Sequence, residues 1–119
     1  MKKDYQKSED RAVEDFNIFD AIKVPYSGAL ITDKLDISLH SGKLTGYRIS
    51  NKHTIKGVIP SCRLEEWDKD RTQALRSYSR LIRRIELESP GTGQLRKIIQ
   101  IEQEDFLNLL SMADDDEED

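Results

Sequence analysis

Arginine supplies most of the chemistry this chain has to offer. Arg76, Arg80 and Arg83 are spaced i, i+4 and i+7, so on a helix they line one side. Arg71 and Arg84 lie close by in sequence, and Arg96 and Lys97 follow a Pro-Gly turn. Residues 71–97 thus hold seven basic side chains against two acidic ones. A planar guanidinium matches phosphate oxygens with a fork of donors and stacks on bases, which points to nucleic acid. Lys43, Arg48, Lys52 and Lys56 form a second basic cluster, with Tyr26 and Tyr47 as stacking platforms for unpaired bases. The competing account is plain: soluble helices keep a charged face for solubility.

Other chemistry finds less support. Ser89-Pro90-Gly91-Thr92-Gly93-Gln94 resembles a phosphate-binding loop, but Gln94 stands where the lysine belongs, Leu95 where the hydroxyl belongs and Glu88 at the first glycine. It reads as a hairpin turn. His40, His53 and Cys62 are the only soft metal ligands, and their spacing fits no zinc pattern, so no metal is expected. Cys62 beside Pro60 reads as a packing residue rather than a nucleophile. The adjacent carboxylates Glu65 and Glu66, Glu86 and Glu88, and Glu104 and Asp105 look like surface charges, with nothing to separate an acid from a base. No catalytic residue and no cofactor is expected.

Charge is unevenly spread. Residues 21–101 carry fifteen Lys/Arg against eight Asp/Glu, whereas residues 114–119 are DDDEED, and the whole chain nets −4. A basic body with an acidic tail is hidden behind a pI of about 5.2. The tail reads as a solvated disordered end, as an internal competitor for phosphate, or as a dock for a basic partner. One cysteine allows no intrachain disulfide, and no apolar run approaches the roughly 20 residues a membrane helix needs. MKKDYQKSEDR has no apolar region behind its charged start, unlike a secretory signal. A soluble cytoplasmic protein is the expectation.

The elements that must carry these residues follow from periodicity. Residues 1–10 read as a flexible N-terminal segment, 11–112 as a single α+β domain, and 113–119 as a disordered acidic tail. Ala12, Val13, Phe16 and Phe19 suit a short helix capped by Ser8, while Phe16 to Val24 also suits a strand. Tyr26-Ser27-Gly28 is a turn, and residues 29–59 read as a β-meander. Its strands are Leu35–Leu39, Leu44–Ile49 and Thr54–Ile59, with Ser50-Asn51-Lys52-His53 as a turn. Residues 62–82 are helical in pattern, yielding near Arg83 to a hairpin of 84–88 and 95–102. Phe106, Leu109 and Leu110 then fall on the buried side of a C-terminal helix. The predicted architecture is a small antiparallel sheet, or an open curled barrel, with two or three helices. The function it suggests is a non-enzymatic accessory or regulatory protein that binds RNA or single-stranded DNA through its basic helix-hairpin surface. The alternative is a protein-interaction module that docks a partner through the basic face or the acidic tail.

Overall fold

The computed structural model describes residues 4–24, 36–59 and 62–117. Three helices and five strands follow one another: α1 (Asp4–Asp15), β1 (Ala21–Lys23), β2 (Ile37–Leu39), β3 (Tyr47–Thr54), α2 (Leu64–Arg76), β4 (Arg80–Glu88), β5 (Leu95–Ile101) and α3 (Gln103–Glu117). The fold class is α+β. The strands form one open sheet in the order β1-β2-β3-β4-β5, which does not close into a barrel.

The sheet is mixed. β1, β2 and β3 form an antiparallel meander, and β4 and β5 an antiparallel hairpin. β3 and β4 run parallel over eight residue pairs, because α2 carries the chain back across the sheet between them. This long pairing overrides two local expectations. Ser50-Asn51-Lys52-His53 has turn-forming composition, yet it is the middle of β3, paired with Arg83 to Glu86. The helix expected over 62–82 stops at Arg76, because Arg80 onward is drawn into β4. It ends in a Schellman arrangement, with Tyr78 N–H donating to Leu75 C=O and Ser79 N–H to Ala74 C=O. Tyr78 takes the left-handed position (φ +56°) that glycine usually fills. Arg76, Arg80 and Arg83 therefore do not share one helical side.

Alternation along the strands sorts the side chains onto two faces. One face carries Tyr47, Ile49, Asn51 and His53 from β3, with Ile82, Arg84 and Glu86 from β4. Here α1 packs Ala12, with Val13 and Phe16, against Ile37, Leu39, Tyr47, Ile49 and Ile82. α3 adds Leu109 to the same cluster. The opposite face carries Ser50 and Lys52, with Leu81, Arg83 and Ile85. There α2 packs Ala74 and Trp67 on Leu81.

Both ends of the chain differ from their expected form. The segment expected to be flexible contributes α1 from Asp4 on, and Ser8 lies inside that helix, fully buried, rather than capping it. Residues 113–117 continue α3. Phe106 and Leu110 are half exposed, while Asp105 is buried, because an ion pair from Arg80 to Asp105 sets the rotation of α3 against the sheet. The 84–88 and 95–102 hairpin forms as expected, with Gly91 and Gly93 at positive φ in its turn. The Tyr26 turn and the first part of the meander lie outside the described residues. Among the described residues no helix is long and apolar enough to cross a membrane.

Candidate functional site

The basic residues singled out by the sequence are dispersed by the fold. Arg71, Arg80 and Lys97 each meet a carboxylate: Arg71 Nε lies 3.1 Å from Glu102, Arg80 pairs with Asp105, and Lys97 Nζ lies 2.9 Å from Asp15. Arg76 and Arg96 are exposed, at the end of α2 and on edge strand β5. Arg48 is half-buried, and Tyr47 belongs to the core, where it cannot stack on a base. Arg83 and Arg84 are both buried, on opposite faces of the sheet. The fold thus brings Arg71 and Arg80 together beside α3, but builds no continuous stripe from all nine.

Arg84 anchors a charged network beneath α1. Its Nη1 donates to Asn51 Oδ1 at 2.7 Å, and its Nη2 to Asp15 Oδ2 at 3.0 Å and Glu86 Oε2 at 2.9 Å. Arg11 Nε donates to Glu86 Oε1 at 2.9 Å, and Asn51 Nδ2 to Ser8 Oγ at 2.9 Å. Burial by itself would raise the Glu86 carboxyl, but hydrogen bonds and charge from Arg11 and Arg84 prevail and hold it below its ordinary value. Each charge here has its counter-charge. The network fastens α1 to β3, β4 and β5.

A second set of polar groups flanks Asp36, just before β2, with Glu9 on the α1 side of the sheet and Asp70 on the α2 side. The Asn51–Ser8 bond lays Ser8 against β3, which brings the next residue, Glu9, alongside Asp36. Asp36 accepts a 2.7 Å hydrogen bond from the Asn51 N–H. From α2, Asp70 accepts from Ser50 Oγ at 3.4 Å and reaches Asp36 by its charge. Burial raises the Asp36 carboxyl, and the Asp70 charge adds to this against the opposing Asn51 hydrogen bond and the Lys52 charge. Glu9 is likewise raised, first by burial and then by the charge of Asp36. Lys52 stands beside these carboxylates and, with Glu66, Lys69, Asp70 and Arg83, lines a recess of about 170 Å³.

Desolvated carboxylates that repel one another are unfavourable unless something positive relieves them, and such arrangements concentrate at functional sites. Among the described residues no three His, Cys, Asp or Glu side chains form a preformed metal cage. Magnesium does not require one, since it is commonly held by one or two carboxylates together with waters and substrate phosphate oxygens. Asp36 accepts from the Asn51 N–H and keeps further lone pairs for such an ion. Sequence reasoning passed over all three acids, because they are far apart in the chain and none carries a motif.

A third feature is an exposed aromatic. Tyr78 is 97% exposed on its left-handed turn, next to half-exposed Leu75. Both line a recess of about 330 Å³ with Arg71, Arg80, Glu102 and Asp105. On the helix that the pattern predicts over residues 62–82, Leu75 and Tyr78 at i and i+3 would share one side.

No protein-family model matches the chain, and no curated protein and no solved structure matches it.

Proposed function

We propose that this protein binds nucleic acid and acts on its phosphodiester backbone through Asp36, with Lys52, Asp70 and Glu9 in support. One observation carries this reading: the Asp36 carboxylate, which accepts from the Asn51 N–H, is raised by burial and by the charge of Asp70, with the charge of Lys52 acting against them. A non-enzymatic binder was the expectation from sequence, where these four residues have no visible relation. Asp36, anchored by the Asn51 N–H, would hold a divalent cation largely through water and phosphate oxygens. A cation bound there would polarise a phosphoryl oxygen and lower the pKa of its bound water. Lys52 supplies positive charge where the phosphate gains negative charge. Exposed Arg76 and Arg96 contribute sequence-independent attraction to the backbone.

The test is an endonuclease assay on labelled single-stranded DNA, duplex DNA, branched duplex and RNA, with magnesium or manganese and with a chelator. Metal-dependent cleavage of at least one substrate is expected, abolished in Asp36→Asn and strongly reduced in Lys52→Ala while gel-shift affinity persists. If the unmutated protein cleaves none of these substrates with either metal, the hydrolytic role falls. A salt-sensitive gel shift alone would then leave a binding protein.

A second reading has its own observation. Tyr78, almost fully exposed beside Leu75 and a 330 Å³ recess, is the kind of aromatic anchor that dominates protein interfaces. A protein-interaction role predicts that Tyr78→Ala abolishes partner binding and leaves nucleic-acid affinity unchanged.

A further inference from the structure

Arg83 is 3% exposed, and its side chain makes no hydrogen bond or ion pair among the described residues; its Nε is buried without an acceptor. A guanidinium cannot escape this by losing its proton, as a lysine or histidine can. Gln100 lies opposite Arg83 in the sheet, and its Oε1 also lacks a donor, but a neutral amide supplies no counter-charge. Among the described residues Arg83 lines a recess where Lys52 and Lys69 add two cations and Glu66 and Asp70 two anions. Counting Arg83, the lining is net positive. Its volume of about 170 Å³ leaves room for one tetrahedral anion.

We propose that this recess is a phosphate subsite, with Arg83 as its anchor and Lys52 and Lys69 completing the contacts. The fork of Arg83 donors and the flanking ammonium groups suit an anion with several oxygens better than a single carboxylate. The identity of that anion as a nucleic-acid phosphate rests on the function proposed above; the anion site itself does not. Lys52 and Asp70 line the recess and their charges also act on Asp36, so the recess and Asp36 share these two residues. Arg83 thereby acts as a positioning residue, setting which phosphate faces the carboxylates.

The experiment is a titration of the full chain with inorganic phosphate, with sodium acetate as control. The Arg83 Nε–H resonance is followed by ¹H–¹⁵N NMR, and the melting temperature is recorded in parallel. Phosphate should shift that resonance and raise the melting temperature, and acetate should do neither. Arg83→Met should weaken phosphate binding by about tenfold or more, the loss expected of a charge-assisted hydrogen bond. It should also leave the phosphate-free protein as stable as before or more so, since it removes an unanswered buried charge. Should the Met variant fail to fold, Arg83→Lys keeps the charge without the fork, and the resonance of the unmutated protein still decides. An unmoved Arg83 resonance, or undiminished phosphate binding by Arg83→Met, overturns the subsite. Phosphate binding at Arg83 without cleavage of any nucleic acid would sustain the subsite and sink the hydrolytic role; cleavage without a response at Arg83 would do the reverse.

Discussion

Arg83 and Arg84 are neighbours in sequence, identical in type and both buried, yet the fold treats them in opposite ways. Strand alternation sends Arg84 toward α1, where Asn51, Asp15 and Glu86 answer its charge. It sends Arg83 toward α2, where its Nε is buried without an acceptor among the described residues. The same contrast divides their surroundings. Beneath α1 the carboxyls of Glu86 and Asp15 are held low by arginine and lysine; Glu9 and Asp36 are held high by burial and by other carboxylates. A saturated charge network fastens elements together. An unsaturated one is open to a ligand, because binding supplies what folding left out.

The largest effect should come from breaking the saturated side. Arg84→Met leaves Glu86 and Asp15 without their shared donor, and should cost about 3–5 kcal/mol by denaturant unfolding. A loss no larger than that of Arg83→Met would erase the distinction between the two faces.

Acidity sharpens the contrast next. Glu86 has a lowered folded pKa, so its stabilisation is full above the unfolded value and is lost as pH falls through the folded one. Glu9 and Asp36 have raised folded pKa values, so the folded protein binds extra protons between the unfolded and folded values. Their contribution is unfavourable above the raised value and is relieved as pH falls toward the ordinary carboxylate range. Asp36→Asn should therefore raise the melting temperature at neutral pH by a few degrees, corresponding to about 1 kcal/mol or less. Glu86→Gln should lower it and flatten the loss of stability in acid. Thermal melts from pH 3 to 8, on the order of the carboxylate titration range, would show both. A fall on Asp36→Asn would mean that its charge is answered after all. Cleavage, which requires the ionised carboxylate, should be lost as pH drops through the raised Asp36 value.

α3 offers a smaller test of how tertiary contacts set burial. Leu109 packs on the α1-side core while Leu110 is half exposed. Leu109→Ala should cost about 2 kcal/mol and Leu110→Ala under about 1. Equal costs would show that Leu110 is covered in solution.

The smallest effect belongs to the exposed arginines. Replacing Arg76 and Arg96 with Gln should leave stability nearly unchanged and reduce the salt slope of single-strand binding by about 0.7 per lost phosphate contact. An unchanged slope would place the phosphate contacts elsewhere.

By itself the sequence determined the elements whose signals are local. The β4–β5 hairpin was legible because Ser89-Pro90-Gly91-Thr92-Gly93 demands a reversal, and apolar residues alternate on both sides of it. α3 was legible from its period, though not its rotation, since an ion pair buries Asp105 and leaves Phe106 outside. Tertiary structure alone decided that Ser50-Asn51-Lys52-His53 is a strand, because the parallel pairing of β3 with β4 outweighs turn propensity. It also decided which arginines are answered. Arg84 finds Asp15 across 69 residues of chain, and Glu86 finds Arg11 across 75. Glu9, Asp36 and Asp70 come from three different elements. Propensity and periodicity describe a residue through its nearest neighbours in the chain. Counter-charge and desolvation are set by neighbours in space, and the register of β3 against β4, with α1 and α2 on opposite faces, chose those neighbours.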